Sequence, residues 1–291
     1  MTDACTSGLD TGFVELGYLK VGFLGIVQGI TELLPISSTA HMRVIPALLG
    51  WQDPGSAFSA AMQLAALAAV VSYFWADVQG LAEGTLAAIK RRDFEDWNFR
   101  FFMWIIFATV PIAIFGLVLK SKLNACNSPL RTLAVIGVAC IVMGALLAYA
   151  ERAAKHVRTI DNVSLWDAMI VGFAQVGALI PGVSRSGSTL TAALFLGLKR
   201  EEAARFSFLI GIPAIALAGL AELFALRKAG LGLHGWSILI FGLMVASVSA
   251  FAAIWGLMRV LERFSAWPFV IYRFVLGIFL VVSVVMGFLP N

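Results

Sequence analysis

The chain has 291 residues, 60% of them hydrophobic and only 13% charged, with a formal net charge of +4. Soluble chains carry about 25% charged residues, and a surface facing water cannot be covered with so little polar side chain, whereas a surface facing lipid needs none. A water-soluble globular enzyme, a disordered chain and a fibrous protein are excluded, and the composition is that of an integral membrane protein. The basic residues are spread over many short loops, so nucleic acid is not an expected partner. Cys5, Cys126 and Cys140 show no metal-ligand spacing, and the first 18 residues lack the basic start and apolar run of a cleaved signal.

A bilayer core of about 30 Å takes about 20 apolar residues in a helix. The first apolar region, 19–49, is cut by Pro35 and the cluster Ser37, Ser38, Thr39. Full-length apolar stretches follow at 57–75, 99–119 and 130–150, with a loop expected over 76–98. A second interrupted region, 164–197, is cut by Pro181, Ser184, Arg185 and Ser186, and full stretches follow at 203–226, 236–258 and 267–288. Each limb of an interrupted region has about 12 residues, or about 18 Å of helix, half a bilayer. The expected fold is an all-α integral membrane protein forming one membrane domain over 1–291, with six full transmembrane helices and two re-entrant helix-loop-helix hairpins.

The interrupted regions resemble each other. Gly25 and Gln28 recur as Gly172 and Gln175, Pro35 as Pro181, Ser37 as Ser184, and Phe58-Ser59 as Phe206-Ser207, at an offset of 146 to 148. This predicts a duplication, 19–150 followed by 164–288, and an odd number of full spans in each half turns the second copy upside down, the inverted-topology repeat of many transporters. On that topology one side receives twelve basic residues, from Lys90, Arg91 and Arg92 through Arg263, and the other six, including Lys20, Lys120, Lys122 and Arg131. The twelve-charge side is then cytoplasmic, with both termini and the mouth of the first hairpin outside.

Non-helical backbone survives at membrane depth only under protein or beside a water-filled cavity, and an ionisable side chain there costs a few kcal/mol. Glu32, His41, Arg43, Arg185 and Arg273 therefore mark candidate sites. Gln28 and Glu32, four apart, share a helix face and can share a metal ion or a proton; the plain alternative is a carboxylate that caps a helix end or pairs with Arg43. Ser37, Ser38 and Thr39 suit the N-cap of the limb after the break. His41, three residues beyond Ser38, is spaced as a base that reaches a hydroxyl. The segment Pro181 to Thr189 offers Gly182 and Gly187, hydroxyls at Ser184, Ser186 and Ser188, and Arg185, an anion site suited to phosphate; the alternative is a structural Arg185–Glu32 ion pair. Arg43 either pairs with Glu32 or snorkels, and Arg273 either orients the site or holds a lipid head group.

At these residues the sequence resembles the undecaprenyl-diphosphate phosphatase family, also called bacitracin-resistance proteins. GIVQGITELLPISSTAH (25–41) matches the family's first signature and ALIPGVSRSGST (178–189) its second, flanked by RFSFLIGIP (205–213) and WPFVIYRF (267–274). The first signature carries Glu or Gln, three residues, then Glu, and Gln28 with Glu32 fills it in the Gln form. The resemblance implies a hydrolase that removes the terminal phosphate of undecaprenyl diphosphate, giving the monophosphate carrier lipid of peptidoglycan synthesis and resistance to bacitracin. It implies a divalent cation, Mg²⁺ or Ca²⁺, at Glu32 and Gln28, and a bacterial plasma membrane with the site open to the periplasmic face. Carried over by position, the functional residues are Glu32, Ser38, His41 and Arg185, supported by Gln28, Ser37, Ser184 and Ser186. The expected chemistry has Ser38 attacking phosphorus, His41 relaying protons, and Arg185 with the 182–187 loop, Ser37 and Thr39 binding phosphate. A flippase of polyprenyl phosphate is the rival reading and a structural lipid-binding protein the third, and a homodimer is left open.

The charge count predicts that an impermeant thiol reagent on intact cells labels Cys126, unless it is paired with Cys5, and spares Cys140. Labelling that appears only after lysis, with reductant in both samples, reverses the orientation.

Overall fold

The computed structural model describes residues 11–123, 130 and 132–289, so Cys5, Cys126 and Arg131 lie outside the described residues. Among those residues there are eleven α-helices: α1 (Phe13–Leu33), α2 (Ser38–Leu49), α3 (Ser56–Tyr73), α4 (Trp75–Arg91), α5 (Trp97–Leu123), α6 (Leu133–Ala153), α7 (Leu165–Val176), α8 (Arg185–Phe195), α9 (Arg200–Lys228), α10 (Leu233–Arg263) and α11 (Trp267–Val285). Six of these, α1, α5, α6, α9, α10 and α11, are long and apolar enough to cross a membrane. Their outward positions carry large apolar residues such as Phe107, Val138, Val142, Phe251, Val275 and Ile278, a surface suited to lipid. The protein is a multi-pass α-helical membrane protein.

Two expectations need correction. The first limb of the first hairpin is 21 residues, not about 12, because α1 starts at Phe13 and runs through a non-helical Gly17. The chain still breaks after Leu33, and α2 packs back on α1. The span expected at 57–75 is α3, which turns by 78° at Phe74 into α4, and α4 occupies most of the expected 76–98 loop. Asp77, Glu83, Lys90 and Arg91 bar α4 from the hydrocarbon but not from helix. Its positions 81, 85 and 88 keep helical spacing toward the interior, where Leu81 is partly buried and Thr85 and Ala88 are buried.

The second interrupted region folds like the first. α7 ends, α8 packs back on it, and α8 starts on Ser184 as α2 starts on Ser37, each serine at positive φ (71° and 74°). α1 packs on α10, and α7 packs on α5. Helices in lipid gain no hydrophobic term from pairing, so they rely on close backbone approach over small residues. A Cβ on Gly29 would overlap Ser249 Oγ and the Ala246 carbonyl, and one on Gly172 would overlap Ala108. Between α6 and α11 the contact is reciprocal: a Cβ on Gly137 would lie 2.9 Å from the Gly277 carbonyl oxygen, and one on Gly277 would lie 2.6 Å from that of Gly137.

Gly29→Ala should therefore overpack α1 against α10 and cost about 1–3 kcal/mol. Gly80→Ala adds a methyl where α4 has nothing within 4 Å, and should be neutral or gain up to about 1 kcal/mol in helix propensity. Thermal unfolding in detergent separates them, and equal shifts would remove close packing as the reason for the glycine at position 29.

Candidate active site

The two breaks are held by an arginine from a third element. Arg273, on α11, has no exposed surface. Its Nη1 donates to the Pro35 carbonyl (2.8 Å), its Nη2 to those of Gly182 and Val183 (2.8 Å each), and its Nε to that of Cys140 (3.4 Å). Of the two roles open to it, this is the orienting one. Gly182 sits at φ 97° with the Ile136 carbonyl 2.6 Å from where a Cβ would be, and a Cβ at Gly187 would lie 2.8 Å from Arg273 Nη1. Ser37 and Ser184 occupy a backbone region that costs a non-glycine residue about 1–3 kcal/mol. Each offsets this as an N-cap, accepting from Ala40 N–H (3.4 Å) and Gly187 N–H (3.1 Å).

Glu32 is the meeting point of the two breaks. Its Oε1 accepts from Arg185 Nη2 at 2.7 Å. Its Oε2 accepts from Gln28 Nε2 at 2.9 Å and from the Ser38 hydroxyl. The Ser186 hydroxyl lies 3.1 Å from the Glu32 carbonyl oxygen and 3.0 Å from that of Leu34, and 3.2 Å from Ser184 Oγ. Glu32 and Ser38 are buried. A buried carboxylate needs pairing to be tolerated, and here a guanidinium, an amide and a hydroxyl supply it with charge-assisted bonds. The Glu32–Arg185 pair that the sequence left as an alternative is present.

His41 departs from the expected geometry. Its Nδ1–H donates to the Ser37 carbonyl, four residues back, at 2.7 Å, so Nε2 is the acceptor and takes the Tyr272 hydroxyl at 2.5 Å. The two rings stack with centroids 5.6 Å apart. The partner of the Ser38 hydroxyl is thus Glu32, not His41. Arg43 is also corrected: it pairs with Asp53, which the turn after Gly50 returns to it, and not with Glu32. Thr39 bonds the Ser37 hydroxyl (3.1 Å) and lines a cavity beside Arg43 and Asp53. Tyr272 was not foreseen. The available signal was its place beside Arg273, whose side chain bonds backbone of both breaks.

No group of three or more His, Cys, Asp or Glu is gathered for a metal among the described residues. The oxygen donors present are the Glu32 carboxylate, the Ser38 hydroxyl and the Gln28 amide, whose O and N exchange by a flip. One carboxylate with neutral oxygens is a donor set of the hard, oxygen type that suits Mg²⁺ or Ca²⁺.

Two interrupted hairpins that bring a buried serine hydroxyl, a buried carboxylate and a partly buried arginine together between apolar helices define a polar site inside a multi-pass membrane protein. Residues 21–279 match the family described as Bacitracin resistance protein BacA, and the chain belongs to that family. It is 70% identical over 263 residues to Undecaprenyl-diphosphatase 2 of Mesorhizobium japonicum, covering 90% of this chain and 100% of that one. It is 49% identical to the undecaprenyl-diphosphatase of Gloeobacter violaceus, over 95% of each, and 45% identical to that of Trichormus variabilis, over 99% of this chain and 90% of the relative.

Arg273→Met takes the guanidinium donor from the carbonyls of Pro35 and Val183 and leaves that of Gly182 only the Cys140 thiol, and should cost several kcal/mol, each orphan contributing about 1–3. Arg273→Lys keeps the charge but not the fork, and should recover only part of the loss. Unfolding in detergent measures both, and a Tm within about 2 °C of wild type for Arg273→Met would show that other groups hold the breaks.

Proposed function

We propose that the chain is an undecaprenyl-diphosphate phosphatase: it removes the terminal phosphate of undecaprenyl diphosphate, returning the monophosphate carrier to peptidoglycan synthesis and so conferring bacitracin resistance. The names of the relatives support the substrate, and the observation that carries the chemistry is the Ser38 hydroxyl bonded to Glu32 Oε2 while Arg185 holds Oε1. The likeness of the two hairpins supports reading 19–150 and 164–288 as inverted copies of one unit. The excess of basic residues on the opposite side supports a plasma-membrane protein with this site open to the outer face and both termini outside.

Ser38 Oγ attacks the terminal phosphorus as Glu32 takes its proton, the bond to the bridging oxygen breaks, and undecaprenyl phosphate leaves. Water then cleaves the phosphoserine and releases orthophosphate. Arg185 keeps N–H donors beyond the one on Glu32 for the phosphoryl oxygens, and the N-terminal dipoles of α2 and α8 add to them. His41, oriented by Ser37 and bonded to Tyr272, moves the proton of the leaving group or of water. Glu32, with Gln28 in its flipped amide form, would hold Mg²⁺ or Ca²⁺, which neutralises diphosphate charge when bound. The prenyl chain extends between helices into lipid.

Ser38→Ala should leave trace hydrolysis with binding largely kept, and Arg185→Lys should cost at least about tenfold in rate, about 1.4 kcal/mol. Phosphate release by purified protein in detergent reads both, and in detergent no gradient exists for a transporter to use. Trapping the phosphoenzyme in acid names the attacking atom. Phosphohistidine at His41, or full activity of Ser38→Ala, would overturn the assignment, and no release by the wild-type protein would sink the phosphatase reading.

A further inference from the structure

The cations near the two breaks are not equally available to a phosphate. Arg273 is wholly buried and bound to four backbone carbonyls. Arg185 is held by Glu32, and Lys20 lies over the Trp51 ring. Arg43 differs: its side chain is 40% exposed, and it lines a cavity of about 160 Å³ bordered by α2, α3, α6 and the second break. Thr39, Arg43, Ser59 and Gln63 bring polar groups to this cavity, with Ile136 and Pro181 among its apolar lining.

Thr39 and Arg43, four residues apart, share a face of α2. The Thr39 hydroxyl bonds that of Ser37, the residue before Ser38, so the cavity joins the break that carries the candidate nucleophile to an accessible cation. Asp53 braces that cation: its Oδ1 accepts from Gly55 N–H (3.0 Å), and its Oδ2 from Arg43 Nη1. A guanidinium carries five N–H donors, and the pair engages one nitrogen. Among the described residues Arg43 makes no other hydrogen bond, and the Gln63 amide makes none. Among the described residues Asp53 is the one acidic residue lining the cavity.

We propose that Arg43, Gln63 and Thr39 form a second phosphate subsite, separate from the Glu32, Ser38 and Arg185 cluster, which takes a tetrahedral phosphate oxyanion. Its source is orthophosphate released by hydrolysis or the phosphate of the lipid head group; that choice of sources rests on the phosphatase reading, while the subsite rests on the cavity and its donors. A planar fork and a carboxamide suit the oxygens of one phosphate. The Asp53 carboxylate offsets part of the guanidinium charge, which makes the subsite weak and quick to release, as a station on the route between the break and the outer face must be.

The test uses the purified full chain in detergent, with orthophosphate followed by ³¹P line broadening and, separately, KM for the C55 diphosphate. Arg43→Gln and Gln63→Leu should each weaken orthophosphate binding at least fivefold. Gln63→Leu leaves the Arg43–Asp53 pair intact, so a loss in both variants cannot come from rearrangement of the 50–55 turn, and Asp53→Asn should tighten binding. A raised KM in both variants with orthophosphate affinity unchanged assigns the subsite to the lipid head group. Unchanged affinity and unchanged KM in both variants overturn it. Failure of the phosphatase reading looks different: the wild-type protein releases no phosphate, and the orthophosphate titration still decides the subsite.

Discussion

Backbone that leaves the helix inside a bilayer must find partners within the protein, since lipid offers none. The Arg273 guanidinium meets that requirement for both breaks at once by donating to Pro35, Gly182, Val183 and Cys140. A buried arginine is costly in isolation, yet here three nitrogens of one planar fork make four bonds to carbonyls on three separate elements, a spread that the single nitrogen of an ammonium lacks. The bonds fix where α2 and α8 begin, and therefore where Ser38 and Arg185 point. The polar site exists because the backbone beneath it is satisfied first.

With the breaks fixed, the charges on them become each other's environment. Glu32 ends α1 and Arg185 begins α8, 153 residues apart in sequence, and they pair at 2.7 Å. Two unit charges about 4 Å apart attract by about 4 kcal/mol at an effective dielectric of 20, comparable to the cost of burying either alone, so the pair makes the polar core tolerable rather than strongly stabilising.

Much of this was legible in the sequence where chemistry is local. Pro35 and Pro181 beside hydroxyl clusters marked the breaks, the offset of 146 to 148 marked their likeness, and the four-residue spacing of Gln28 and Glu32 put them on one face, where they bond. Relations between distant segments were not legible. Spacing placed His41 within reach of Ser38, but the imidazole turned to the carbonyl of Ser37 and to Tyr272, a residue 231 positions away. Arg43 had a nearer partner in Asp53 than any sequence rule could rank. The loop expected over 76–98 is largely α4, because charge excludes a segment from the bilayer without excluding helix.

The two cores of the site therefore divide the work by kind of residue. Helix-bound glycines set the spacing: Gly29 lets α1 approach α10 and Gly172 lets α7 approach α5. Serines at the breaks then carry a strained backbone by capping the helices that follow. A serine whose hydroxyl caps its own helix is occupied, as Ser37 and Ser184 are. The next residue along, freed of that duty, is Ser38 in the first break and Arg185 in the second, so one backbone turn used twice presents a hydroxyl from one side and a cation from the other, with Glu32 between them.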